Sequence, residues 1–283
     1  MTLPGGVTEA IAARRSAAVA SVQSVGGGDL NDAYAVSLDD GSRVFVKTRA
    51  GAPAEEYATE AAGLEWLAEP GALAVPEVVA VGPDFLALSW VDEGGALDEE
   101  ALGRGLARLH AAGAAGFGGP TPMRLGPVVL PNDPCSTWAE FYAERRLLPL
   151  VAMARDRGAL DAAGAVAVES VCSRMTSLAG PAEPPARLHG DLWSGNVMAG
   201  VDGRPWLIDP AAYGGHREVD LAMLSLFGGT RPRVVAAYEE VSPLAEEWRE
   251  RVELWQLLPL LVHAVLFEGG YGARAVRSAL AFG

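Results

Sequence analysis

Residues Arg187 to Pro210 read RLHGDLWSGNVMAGVDGRPWLIDP. Asp191 stands directly behind a His-Gly turn, Asn196 follows five residues later, and Asp209, thirteen residues beyond Asn196, closes an apolar strand. A loop carboxylate can take the proton of an attacking hydroxyl. A carboxamide oxygen and a second carboxylate are ligands of the kind magnesium accepts beside phosphate groups. Asp191 is thus the candidate catalytic base, and Asn196 and Asp209 are the candidate metal ligands. The chemistry that uses all three is phosphoryl transfer, with ATP and Mg2+ as the expected cofactors.

Upstream, the chain supplies what a nucleotide site needs. SVQSVGGGDLNDAYAVSLDDGSRVFVKT (residues 21–48) alternates and turns like successive antiparallel strands, with Asp40-Gly41 as the hairpin signal. Gly26, Gly27 and Gly28 lie between the first two strands, where backbone amides can approach a phosphate. In RVFVK the period of two puts Val44 and Val46 on one face and Phe45 and Lys47 on the other. Lys47 is the only lysine among 22 basic residues. Where arginine fills every other basic position, the remaining lysine is expected where a compact ammonium on a flexible stem is required. The next segment carries a helical apolar stripe of Tyr57, Ala61 and Leu64, and Glu60 borders it, placed to turn inward and pair with Lys47. Two apolar strands around Gly82-Pro83-Asp84 then lead to Ser89, Trp90 and Val91, whose backbone can meet an adenine edge.

After Gly94-Gly95 the pattern becomes helical. Residues 99–113 form an amphipathic helix stopped by Gly113, and a Gly- and Pro-rich stretch is expected to run as loop to Asp133. Thr137 and Glu140 form a candidate capping box for one long helix, with Trp138, Phe141 and Tyr142 expected in the core. Residues 162–178 form another helix, and helices return beyond Asp209. Strands first and helices after favours an α+β molecule over a doubly wound sheet. The expected division is an N-terminal nucleotide-binding lobe, 1–91, and a C-terminal catalytic and substrate-binding lobe, 92–283.

Composition narrows the partners. With 283 residues, half of them apolar, a sizeable core is within reach. A net charge of −14 and a pI near 4.7 oppose nucleic-acid binding, so a small or cationic substrate is expected instead. Two widely separated cysteines give neither a zinc site nor a disulfide framework. The N-terminus lacks the order of a signal peptide, and the most apolar run, 254–267, is short and contains Gln256, Pro259 and His263. No membrane association and a cytoplasmic location are expected.

The Asp191–Asn196 spacing equals that of the kinase pattern H-R-D-x-x-x-x-N. GGGDLNDAYAV (26–36), FVKT (45–48), LHGDLWSGNV (188–197) and LIDPAAYGGHREVDLAMLSLFGG (207–229) together resemble the fructosamine kinase or ketosamine-3-kinase family. That family is itself similar to aminoglycoside phosphotransferases and to the two-lobed protein-kinase fold, with a small antiparallel sheet lobe and a larger helical lobe. The resemblance implies ATP-dependent phosphorylation of a sugar hydroxyl on a ketosamine, a glycated amine, in the service of deglycation. It implies Asp191 as base, Asn196 and Asp209 as magnesium ligands, Lys47 with Glu60 at the phosphates, and Ser89 to Val91 as the adenine hinge. Trp193 would be a stacking platform for the substrate, with His216 and Arg217 lining or bracing the same pocket.

Three other readings compete with this one. An aminoglycoside or choline-like alcohol as acceptor keeps the chemistry, and a nucleotide-binding pseudokinase discards it. A metal-dependent hydrolase needs more ligands than Asp191 and Asp209 provide.

Overall fold

The computed structural model describes residues 3–26, 31–53, 55–227, 231–267 and 269–283. The chain divides into two compact units, Met1–Asp98 with Met198–Pro210, and Glu99–Val197 with Ala211–Gly283. The architecture is α+β. Among the described residues no helix is long and apolar enough to cross a membrane.

The first unit is built on one antiparallel sheet. Its elements are α1 (Val7–Arg15), β1 (Val19–Val25), β2 (Asp32–Leu38), β3 (Arg43–Thr48), α2 (Glu56–Ala68), β4 (Val78–Gly82) and β5 (Phe85–Ser89), with the strands in the order β1-β2-β3-β5-β4. Alternation decides which helix each side chain meets. Val44 and Val46 on β3 join Tyr34, Val36, Phe85 and Ala87 beneath Val7 and Ile11 of α1. The opposite face gathers Leu86, Leu88 and the edge of Phe45 against Tyr57, Ala61 and Leu64 of α2. The stripe read from the sequence is therefore the buried side of α2, each large apolar residue of it worth about 1.5–3 kcal/mol. Lys47 is bound by the same alternation to the α2 face.

The second segment of this unit is a hairpin of strands Val197–Ala199 and Pro205–Leu207. It is tied by the bridges Glu93↔Gly200 and Ala74↔Trp206, and the Leu207 amide donates to the Ala74 carbonyl at 2.9 Å. A single cut of the chain does not express this grouping, because the pairing is with residues more than a hundred positions away.

The second unit is mainly helical. Its core contains Trp138, Phe141, Tyr142 and Trp255, all buried, as expected for the first three. The Tyr142 hydroxyl donates toward the Leu254 and Trp255 carbonyls at 3.1 and 2.9 Å. Four sequence expectations change here. The stretch from Gly113 to Asp133 is not all loop, since Met123–Leu125 and Val128–Leu130 pair as a short antiparallel hairpin. Thr137 caps its helix, accepting from the Glu140 amide at 3.2 Å, but Glu140 reaches back to the Ser136 amide and hydroxyl instead of the Thr137 amide. The long helix is also interrupted by a π-helical turn, Ala143–Leu147, between Trp138–Tyr142 and Leu148–Asp156. The helix expected over 162–178 breaks at Arg174, giving Ala162–Ser173 and Met175–Leu178.

Candidate active site

In the first unit, Lys47 lies on a central strand, paired to Ala33 on one side and Leu86 on the other, and is 7% exposed. Its ammonium sits 2.6 Å from Glu60 Oε1 and 2.9 Å from Asp209 Oδ1. Three of the sequence-predicted residues thus meet in one unit. Asp209 is brought there by the Pro205–Leu207 strand and has left-handed backbone, φ 50°, a conformation uncommon for a residue with a Cβ and concentrated at functional positions. Its side chain is 49% exposed, whereas those of Lys47 and Glu60 are nearly sealed.

One cation shared by two carboxylates leaves an excess negative charge in a poorly solvated place. Burial lowers the proton affinity of Lys47, but the two carboxylates outweigh it and raise its pKa. Burial raises the Glu60 carboxyl to about 7, against the pull of Lys47. The folded chain therefore holds a proton on Glu60 that an unfolded chain loses near 4.5. The stability this group contributes is full below that value and declines as pH rises through it towards about 7. Denaturant titrations of the wild type and Glu60→Gln between pH 5 and 8 test this: the decline with pH is expected to flatten in the variant, and an unchanged profile would contradict it.

Gly26 is open, since a Cβ there would meet nothing within 4 Å. Gly27 and Gly28 lie outside the described residues. Of the adenine-hinge candidates, Ser89 donates its amide to the Glu77 carbonyl at 2.8 Å, and Trp90 donates its amide to Arg43 at 3.3 Å, with the Arg43 guanidinium 4.5 Å from the indole centroid. Both amides are committed to neighbouring chain, so Val91 is the one of the three for which no such commitment is seen among the described residues.

In the second unit, strand Ala186–Leu188 leads into the turn that presents Asp191. Asn196 donates its amide nitrogen to the Asp191 carbonyl at 2.8 Å and to Asp191 Oδ2 at 3.1 Å, which directs the acceptor end of the carboxamide away from that carboxylate. His189 braces the turn, its Nδ1 accepting the Asp191 amide at 3.2 Å. Gly190 is required, with φ 81°, because a Cβ would run into the Ala211 carbonyl.

The turn is anchored from below by Asp220, fully buried on helix Glu218–Leu226. One carboxylate oxygen accepts the His189 amide at 2.8 Å and the other the Gly190 amide at 3.0 Å. His110 Nε2 approaches Asp220 at 3.3 Å while its Nδ1 lies 2.9 Å from the Tyr238 hydroxyl. Burial favours the neutral acid, but the His110 hydrogen bond and the imidazoles overcome it and lower the Asp220 pKa. The helix is fixed at its start by Glu218, which takes a forked bond from Arg251 at 2.6 and 2.9 Å and one from Trp255 Nε1 at 2.8 Å. His110 carries no sequence signal for this task. It sits on the buried side of the amphipathic helix Glu99–Ala111, indistinguishable from any packed residue until the fold pairs it with Asp220.

Trp193 is 39% exposed. Its indole lies over Gly195, where a Cβ would overlap the ring, and it meets Phe227 edge-on at 6.5 Å. An open aromatic face two residues from Asp191 can stack on a sugar-like ring or receive a cation. His216 and Arg217, by contrast, are spent on bracing. His216 is buried and stacks on Trp255 at 5.6 Å, and burial lowers its pKa. Arg217 forks onto Glu183 at 2.7 Å twice and donates to Ser242 Oγ and the Pro243 carbonyl at 2.7 and 2.8 Å.

Asn196 and Asp209 each provide a neutral or anionic oxygen donor, the hard-ligand chemistry of magnesium. Each, in its own unit, is a donor of the kind that an ion retaining waters and phosphate oxygens accepts.

The sequence profile of the fructosamine kinase family matches residues 7–280. A protein of Synechocystis sp. named "probable ketoamine kinase" is 37% identical over 261 residues, 89% of this chain and 87% of that one. The chloroplastic protein-ribulosamine 3-kinase of Arabidopsis thaliana is 33% identical over 269 residues, 91% of this chain and 81% of that one. The crystal structure of a Thermobifida fusca protein assigned as a fructosamine-3-kinase superposes with a TM-score of 0.92 at 44% identity, covering 98% of both chains. The α+β architecture is that of the protein-kinase-like fold. The chain belongs to the fructosamine kinase family and is an ATP-using phosphotransferase.

Proposed function

We propose that this kinase phosphorylates a sugar hydroxyl of a ketosamine, and that Asp191 is the base that receives the hydroxyl proton. The observation that carries the reading is the clasp of Asn196 on Asp191 within a turn tethered by Asp220, because a base must be held in one orientation to meet its proton. As the acceptor oxygen bonds to the γ-phosphorus and the bond to the ADP oxygen breaks, the proton moves to a carboxylate oxygen of Asp191. Lys47, kept protonated by Glu60 and Asp209, supplies positive charge for the phosphates. Asn196 and Asp209 would be the magnesium ligands, and the ion would neutralise charge on the phosphate oxygens. Gly26 leaves room for the phosphates, and the backbone of Ser89 to Val91, with Val91 its most suitable amide, receives the adenine. Trp193 forms a platform for the glycated amine, whose secondary ammonium suits an aromatic face, and His216 and Arg217 brace the surrounding chain.

The names of the relatives support the acceptor class, since ketoamines and ribulosamines are both sugar adducts of amines. Phosphorylation would render the adduct unstable and release the amine, which is the deglycation role, carried out in the cytoplasm. ADP release measured with fructosamine- and ribulosamine-type adducts of lysine, an aminoglycoside and choline tests the acceptor. Turnover with the adducts is expected; turnover confined to the aminoglycoside or choline would overturn the assignment.

A further inference from the structure

Among the described residues, Arg146 is a buried cation with no acidic partner. It lies in the π-helical turn Ala143–Leu147 and has no solvent exposure. Buried arginines are ordinarily paired with a carboxylate, because an unpaired charge is costly to desolvate. Among the described residues its guanidinium instead donates to the carbonyls of Pro131 and Arg145 at 2.7 and 3.0 Å and to Asn132 Oδ1 at 2.7 Å. Its two faces are covered by the rings of Phe141 and Tyr213, each 4.4 Å away.

What those partners touch gives the arrangement its meaning. Tyr213 pairs with Leu188, the residue just before the His189–Asp191 turn. Its ring stands 3.1 Å from where a Cβ of Gly190 would be, so it packs directly beneath the turn. Asn132, the side-chain acceptor, takes the Gly119 amide on its carbonyl at 2.9 Å, and neighbouring Gly118 exchanges two backbone bonds with Gly214 at 2.8 and 2.9 Å. The guanidinium is therefore the common point of the 118–132 segment, the strand Tyr213–Gly215 and the floor of the turn. π-Helical turns recur at functional positions, where they fix a side chain that regular helix would place otherwise.

We propose that Arg146 is a positioning residue: by holding Tyr213 beneath Gly190 it sets the direction in which Asp191 is presented. The inference rests on the reading of Asp191 as the base. Its planar fork and delocalised charge are essential, because a lysine ammonium cannot satisfy three separated acceptors while lying between two rings.

The test is steady-state kinetics of the full chain with ATP and a ketosamine acceptor for Arg146→Met, Arg146→Lys and Tyr213→Leu, with thermal unfolding measured on each. All three are expected to lower kcat by about 10- to 100-fold while KM for ATP stays within about twofold, and lysine is not expected to rescue. Folded Arg146→Met or Tyr213→Leu protein with wild-type kcat would overturn the proposal, as would rescue by lysine. If Arg146→Met does not fold, Tyr213→Leu, which leaves the guanidinium in place, decides the matter alone. Asp191→Asn separates the two readings. Full activity in that variant refutes the base itself, whereas its inactivity beside an unimpaired Tyr213→Leu refutes only the positioning role.

Discussion

Asp191→Asn is expected to lower turnover by about 10²- to 10⁴-fold, the usual contribution of a positioned general base, while ATP affinity measured by calorimetry stays within about threefold. The substitution is chosen because it is nearly isosteric. The new carboxamide oxygen can still accept from Asn196 Nδ2, as Asp191 Oδ2 does at 3.1 Å, so the clasp and the turn survive. What is lost is the basicity of the carboxylate, and with it the destination of the hydroxyl proton. The loss should appear in kcat more than in the KM for either substrate, because the proton moves only as the acceptor oxygen attacks. Near-normal turnover would remove Asp191 from the mechanism.

Asp220→Ala is expected to be the most damaging single change to the fold around the turn. It strips the acceptor from the His189 and Gly190 amides at once and leaves His110 facing an empty place, all in fully buried surroundings. Removing one member of a buried charged network costs about 3–5 kcal/mol, a large share of the roughly 5–15 kcal/mol by which domains are stable. Urea unfolding should show the midpoint falling with little change in slope. A loss below about 1 kcal/mol would mean that the amides find other acceptors. Because the Asp220 carboxyl is held below its ordinary 3.8, its contribution is present above that value and is lost as pH falls through the lowered one.

Much of this was legible in the residues because the governing rules are local. Period-two alternation placed Lys47 on the same face as Phe45, and period 3.6 placed Glu60 beside Tyr57 and Leu64. The ion pair at 2.6 Å follows once α2 covers that face. The Asp191–Asn196 clasp is likewise local, five positions apart on one turn. Non-local pairing was not legible. Nothing in GALAVPE or GRPWLID announces that Ala74 bridges Trp206, yet that bridge helps bring Asp209 to Lys47. Three-residue strands such as Met123–Leu125 are too short to show a period, and so they read as loop.

Arg146 was hidden for a different reason. In AERRL two adjacent arginines on an amphipathic helix read as a solvated edge, and the π-helical turn that encloses one of them has no compositional mark. His110 was masked in the same way by its helix. Both residues act on the turn through intermediaries, Tyr213 and Asp220, so no spacing rule links them to Asp191. The residues expected to touch reactants were the readable ones, because chemistry constrains both their type and their separation. The residues that hold them were not, because many different packings can perform that task.

The proposed acceptor is the sugar of a glycated amine. Phosphorus and proton correlation NMR of the product formed from ATP and a lysine ketosamine tests it most directly. A single phosphate on a hydroxyl oxygen of the sugar, formed in step with one equivalent of ADP, is the predicted result. Phosphate off the sugar, or ADP formed without any phosphorylated adduct, would contradict it.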